Sequence, residues 1–286
     1  MDFFKIYHGK ITEALAMVDK SNVKTDRITG KRQYVDDGIT ITLPASAEIK
    51  VITHKLLMYA IAAFTSLNGS DIVNNRVISF RLKDFLAKCG VNAAHKPSVD
   101  KGRTEINKSL SVLKGIKVTI REGQDRYLFN DADLKLIDAK SGVKNGMVYM
   151  YFTDAFAKYL ITRPIAEYPS SLFRCDGKKH NAYRLGYKIA LHTTNKNNQI
   201  KGTANTLKVM TVVKNVCLPN HMDLQKTRQS WAHKIKNKID DILSYLIEIG
   251  CLKNWHYRTD TNETYNSYIQ NYIEYECDCD KLLPLV

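Results

Sequence analysis

The order helix, strand, helix, helix, hairpin occurs twice along this chain, and no other feature constrains its fold as tightly. Leu57 and Ile61 lie on a helical stretch, and residues 77–80 read as a short strand. Leu82 and Leu86 then begin a second helix, and Ile106, Leu110 and Leu113 form the apolar stripe of a third. The same order returns as Leu185 and Ile189, residues 207–210, Val212 and Val216, and finally Ile239, Leu243 and Leu246. The copies are offset by about 130 residues, the length of one small domain. Side-chain identity between the copies is low, so the repeat is one of pattern.

That element order is the plan of a winged helix-turn-helix. The expected fold is therefore α+β, two winged helix-turn-helix domains in tandem related as a pseudo-repeat. A chain of 286 residues has room for two cores, and its 44% apolar and 25% charged residues are those of a folded protein. Its 43 Lys and Arg against 29 Asp and Glu give a net charge of +14. Such an excess attracts a polyanion through counterion release and long-range steering, without distinguishing DNA from RNA or an anionic membrane. No stretch is long and apolar enough to cross a bilayer, and since Met1-Asp2-Phe3-Phe4-Lys5 lacks a basic region followed by an apolar run and a cleavage site, export is not expected. A cytoplasmic protein associated with nucleoid or plasmid is expected. The six cysteines are scattered, and Cys277-Asp-Cys279 is one residue too tight for a zinc pair. No metal and no cofactor are expected.

Residues 1–44 read as an N-terminal extension closed by a strand at 39–43 that stops at Pro44. The first winged-helix domain is expected over 45–165 and the second over 170–286, with Pro164 and Pro169 marking the boundary. In the first, a helix over 101–114 leads to a wing of strands 116–122 and 127–129 turning at Gly123-Gln124-Asp125. A further hairpin, 134–138 with 147–152, turns through Asn145-Gly146. In the second, one long helix over 226–249 ends at Gly250, and strands 252–258 and 268–277 form the wing.

On that long helix Trp231, Ile235, Ile239, Ile242, Leu246 and Ile249 fall in one stripe at helical spacing. The opposite face holds Lys226, Gln229, Ser230, His233 and Asn237, flanked by Lys234 and Lys236. Lys supplies charge for phosphates, while Gln, Asn and Ser supply donor and acceptor pairs for base edges. Taken alone, such a face is equally a solvated Lys-rich surface. The first unit repeats it, with Lys101, Thr104, Lys108 and Ser111 opposite Ile106, Leu110 and Leu113, and Asn107 beside them. The wings add Arg121 and Arg126 in the first unit, and Lys253, His256 and Arg258 in the second. No phosphate-binding Gly-rich loop ending in Lys-Ser/Thr is present, and no His-x-His pair, so neither a nucleotide-hydrolysing motor nor a metal-dependent nicking enzyme is expected.

The layout resembles the plasmid and phage replication initiators that carry two winged helices, the iteron-binding type. The resemblance is carried by the 55–64 helix, residues 79–91, the Glu105-Ile106-Asn107-Lys108 start of a stripe, Ala182-Tyr183-Arg184-Leu185, and the 227–250 helix followed by Cys251-Leu252. It implies double-stranded DNA of origin repeats as partner, with Lys226, Gln229, Ser230, His233, Lys234 and Asn237 as main readers. Lys101, Thr104 and Lys108 would be secondary. It also implies a homodimer formed through the first domain, and recruitment of host helicase or polymerase factors. The 134–152 hairpin and the polar loop before Asn205 depart from the family's pattern. Two alternatives stand beside it: a winged-helix transcriptional regulator, and a rolling-circle or relaxase-type endonuclease.

Overall fold

A computed structural model describes residues 3–18, 22–27, 29–36, 38–67, 76–120, 134–216, 218–219, 221–260 and 264–277. The chain divides into two units, Lys5–Ala166 and Glu167–Val286, the latter joined by Met1–Phe4. Phe4 is placed there by its ring, 5.7 Å from Tyr168 and 4.7 Å from Phe173.

The N-terminal unit runs from β1 (Phe3–Tyr7) through α1 (Lys10–Met17), β2 (Lys24–Thr25), β3 (Arg32–Asp36) and β4 (Ile39–Leu43). Next come α2 (Val51–Thr65), β5 (Val77–Arg81), α3 (Leu82–Lys88), α4 (Lys96–Gly115), β6 (Lys117–Ile120) and β7 (Leu134–Lys135). It ends with β8 (Gly142–Lys144), β9 (Met147–Tyr151) and α5 (Asp154–Ile161). In β4 the buried Ile39, Ile41 and Leu43 alternate with half-buried Thr40 and Thr42, as a sheet with one covered face requires. The apolar spacing of α2 buries Leu56, Leu57, Ala60, Ile61 and Phe64. Inside, Thr53 Oγ1 donates to Ser109 Oγ at 2.9 Å and ties α2 to α4.

Residues 5–44 are no extension. Strands β2, β3 and β4 join β6 and β7 in one five-stranded sheet, in the order β2-β3-β4-β6-β7. The separate sheet β5-β9-β8 is the winged sheet of this unit, and its turn is Asn145-Gly146. Both turn residues have positive φ, 51° and 74°, the conformation a two-residue hairpin of this twist demands. A wing hairpin lies at 142–151, paired as Val143 with Val148, while the expected turn at Gly123-Gln124-Asp125 and its strand 127–129 lie outside the described residues. β6 pairs instead with β4 and with β7, because its alternate buried residues Val118 and Ile120 complete the five-stranded sheet. The third helix also begins earlier than expected, at Lys96, since Pro97 suits a first turn whose N–H groups need no partner.

The C-terminal unit holds β10 (Ile165–Pro169), a 3-10 turn (Ser170–Arg174), α6 (His180–Thr194) and α7 (Lys196–Ile200). It continues with β11 (Thr206–Lys208), α8 (Val209–Asn215), α9 (His221–Lys226), α10 (Asn237–Glu248), β12 (Leu252–Tyr257), α11 (Tyr265–Gln270) and β13 (Tyr272–Cys277). Its sheet has the order β11-β13-β12, the same first-third-second order as β5-β9-β8. Residues 268–270, expected as strand, belong to α11, whose start Thr264 and Ser267 cap reciprocally.

Two glycines allow close helix approach. A Cβ on Gly102 would lie 2.7 Å from Leu86 Cδ1, and one on Gly186 would lie 2.9 Å from Leu172 Cδ1 and 3.0 Å from Leu246 Cδ2. Gly186→Val should therefore lower stability by about 1–3 kcal/mol in urea unfolding, through overpacking between α6 and α10.

His54, buried on α2, meets the Thr12 carbonyl at 3.2 Å. Burial lowers its imidazole from 6.5 to about 4. The unfolded chain takes up this proton first as pH falls, so the neutral His54 favours folding fully above about 6.5. Between there and about 4 the loss is on the order of 3 kcal/mol. Urea midpoints at pH 7 and pH 4.5 should differ less for His54→Leu than for the unmodified chain. An equal shift in both would assign the acid sensitivity elsewhere.

Candidate nucleic-acid interface

In the C-terminal unit the helix expected to be continuous over 226–249 is broken. α9 ends in a paired C-terminal lock, with Arg228 N–H donating to the Gln225 carbonyl at 3.1 Å and Gln229 N–H to that of Leu224 at 2.9 Å. The pivot of this lock is Arg228, with a left-handed φ of 53°. The same lock ends α3 at Gly90 (φ 78°) and α10 at Gly250 (φ 73°), where glycine takes that conformation without penalty. An arginine at the pivot hides the break from a sequence reading.

Beyond the break a new helix begins at Trp231. Ser230 starts it: its carbonyl accepts from Lys234 N–H at 3.0 Å, and its hydroxyl accepts from His233 N–H at 3.4 Å. Residues Ala232–Lys236 are wound as a π-turn, with Asn237 N–H donating to the Ala232 carbonyl, before α10 proceeds regularly. Ile235, Ile239, Leu243 and Leu246 are buried, and His233, Asn237 and Lys238 are exposed. Lys226 and Gln229 thus precede this helix instead of lying on it, although both are exposed. Ser230 is a helix-starting residue.

Lys226 lies 3.8 Å from Asp223, and Lys238 lies 3.7 Å from Asp241, both in exposed pairs of little energetic weight. Lys236 is more firmly held. Its ammonium is 3.1 Å from Asp240 Oδ2 and 5.5 Å from the centre of the Tyr257 ring. Half-buried Lys234 has no carboxylate partner among the described residues.

Aromatic rings brace the start of this helix. Trp231 lies 5.3 Å from Tyr268 and 5.9 Å from Tyr265, and Tyr265 stacks on His221 at 3.8 Å. Tyr257 Oη donates to Asp240 Oδ1 at 2.6 Å and meets Tyr268 Oη at 3.1 Å. Burial pushes both phenols well above their ordinary range, so they remain protonated donors.

The wing cations are matched across the strands. Arg258 donates to Glu274 at 2.6 Å and stacks on Tyr272, His256 reaches Glu274 at 3.2 Å, and Lys253 reaches Glu276 at 3.5 Å. The bond from Arg258 holds the Glu274 carboxyl below its usual range. Lys253 and Arg258 are exposed but compensated, so this wing face is mixed in charge.

In the N-terminal unit, α4 buries Val99, Ile106, Leu110 and Leu113 and exposes Lys101, Thr104, Asn107, Lys108 and Ser111. Thr104 Oγ1 donates to its own helix at Asp100, and Lys108 pairs with Glu105 at 3.3 Å. Glu105 also takes Lys50 at 3.4 Å, and its carboxyl is lowered, desolvation being outweighed by these two ammonium groups. Lys101 and the exposed Arg103, which the sequence reading passed over, have no carboxylate partner among the described residues. The wing at 142–151 adds Lys144 beside its turn, equally exposed. Arg121 and Arg126 lie outside the described residues. Lys144 could have been found from Asn145-Gly146, the sharper turn signal of the two.

No group of three or more His, Cys, Asp or Glu side chains able to hold a metal occurs among the described residues. No described helix is long and apolar enough to cross a membrane. A cavity lined by Gly186, Ile189, Ala190 and Cys251 leaves about 10 Å³, room for no more than a water.

Each unit is thus a winged helix-turn-helix with an insertion, strands β6 and β7 in the first and helix α11 in the second. No family model matches the chain, and no curated relative matches it in sequence. Solved structures do match in fold. The Pi initiator protein, in complex with iteron DNA, aligns with a TM-score of 0.58 at 11% identity, over 97% of this chain and 98% of that one. Domains 2–3 of RctB align with a TM-score of 0.50 at 12% identity, over 97% of this chain and 100% of theirs. A selenomethionine derivative of RctB domains 2 and 3 gives 0.51 at 12% identity, over 94% and 96%. The likeness is one of fold, and it extends across both units.

The broken helix has a measurable signature. Arg228→Gly should leave the chain as stable as before, or raise its stability by up to about 1 kcal/mol, because glycine suits a left-handed pivot. In an uninterrupted helix the same change would cost about 1 kcal/mol. The sign of the shift in the urea midpoint separates the two.

Proposed function

We propose that this protein is a replication initiator that binds double-stranded DNA at origin repeats through one helix of each unit. The observation that carries this reading is the repeated third helix, whose apolar stripe is buried while its polar, cationic face points outward in both units. A net charge of +14 and the likeness to an initiator solved with iteron DNA support it. In the C-terminal unit Gln229, His233 and Asn237 would read bases and Lys234 would contact phosphate, with Lys226 at the margin. In the N-terminal unit Lys101, Arg103, Asn107 and Lys144 would add contacts. The protein would act in the cytoplasm without catalysis of its own, mark the origin as monomer or homodimer, and recruit host helicase or polymerase factors.

A footprint on the DNA flanking the gene tests the role. Protected direct repeats are expected of an initiator, and a single protected palindrome would point to a transcriptional regulator. Clear Mg²⁺-dependent nicking of supercoiled DNA carrying those repeats would overturn the non-enzymatic reading. For the interface, Lys234→Ala should weaken binding to every duplex and reduce the salt slope by about 0.9. Gln229→Ala and Asn237→Ala should instead relax sequence preference at a cost of roughly 1–3 kcal/mol. If all three titrate like the unmodified protein, the contact surface lies elsewhere.

A further inference from the structure

Two lysines stand close together at the start of the C-terminal third helix, and the fold treats them differently. Lys234 has no carboxylate partner among the described residues. Lys236 is held by Asp240, its side chain 29% and that of Asp240 28% exposed. Pairs between neighbouring helical residues are ordinarily loose, because a fully solvated carboxylate rotates freely. Asp240 is different, since its other oxygen accepts a 2.6 Å bond from Tyr257 at the end of β12. Tyr257 in turn meets Tyr268 on α11, and Tyr268 is fully buried. The carboxylate cannot turn from Lys236 without losing a bond to the wing.

We propose that Asp240, locked by Tyr257, is a specificity-determining residue that withholds Lys236 from DNA phosphates. This rests on the DNA-binding reading above and adds to it. A free ammonium on the reading surface would strengthen binding to all sequences alike, because phosphate contacts carry no sequence information. Tethering Lys236 lowers that indifferent component while leaving Gln229, His233 and Asn237 available. Asp240 is thus a positioning residue: it acts through Lys236 and through the wing, not by touching a base.

The test compares the full-length protein with Asp240→Asn, Lys236→Met, the double variant and Tyr257→Phe. Two quantities are read: acylation rates of Lys236 and Lys234 in the free protein, by mass spectrometry, and the salt dependence of binding to a random-sequence duplex. In the unmodified protein Lys236 should acylate several-fold more slowly than Lys234, and Asp240→Asn should remove the difference. Asp240→Asn should also tighten binding to the random duplex several-fold at low salt and steepen the salt slope by about 0.9. Both effects should vanish when Lys236 is methionine. Tyr257→Phe keeps the carboxylate and should speed Lys236 acylation, which covers the case in which Asp240→Asn fails to fold. An Asp240→Asn effect that persists without Lys236 would reduce Asp240 to simple repulsion and overturn the proposal, as would unchanged acylation. If the unmodified protein binds no duplex at all, the DNA-binding reading fails and this inference falls with it. An unchanged slope with intact binding defeats this inference alone.

Discussion

Burial of the third helix's apolar stripe governs everything that follows in each unit. Ile106, Leu110 and Leu113 in the first, and Ile235, Ile239, Leu243 and Leu246 in the second, are each at most 1% exposed. Each such side chain contributes roughly 1.5–3 kcal/mol relative to exposure, enough together to fix the rotation of the helix about its own axis. Once that rotation is fixed, the opposite face must be solvated. Whatever chemistry the chain presents to a partner is therefore decided by the residues between the stripe positions. The first-third-second strand order of β5-β9-β8 and β11-β13-β12 places a hairpin beside that helix in both units.

The 43 Lys and Arg side chains are less available than their number suggests. Lys108, Lys226, Lys236 and Lys238 pair with carboxylates on their own helices, and Lys253 and Arg258 pair across the wing strands. Solvent-exposed pairs of this kind would exchange readily with phosphate, whereas the Lys236–Asp240 pair, braced by Tyr257, would resist such exchange. Binding to a duplex would then depend on third-helix and wing cations without a carboxylate partner among the described residues, such as Lys101, Arg103, Lys144 and Lys234, together with the polar groups beside them.

Local signals were legible wherever local chemistry decides structure. The alternation of β4, the turn at Asn145-Gly146, the Thr153 hydroxyl that accepts from Phe156 N–H at 3.2 Å, and the helix stop at Gly250 all follow from neighbouring residues. The five-stranded sheet was not legible, because β4 and β6 are brought together across about 75 residues of chain and no local pattern names the partner. The break at Arg228 stayed hidden because helical periodicity continues through it and its pivot lacks the usual glycine. Among the candidate contacts, exposure of His233 and Asn237 could be read from helical phase, whereas Gln229 is exposed because it lies in the break before the helix. The pairing of Lys253, Arg258 and Lys236 could not, since it depends on strand register and on the wing's approach to α10.

Amide hydrogen exchange of the full-length protein, with and without a duplex carrying two tandem copies of its repeat, addresses the central claim most directly. Slowed exchange over both 96–115 and 231–248, with α2 and α6 unchanged, is the result this account requires. Protection confined to one unit, or centred on the five-stranded sheet instead of the third helices, would contradict it.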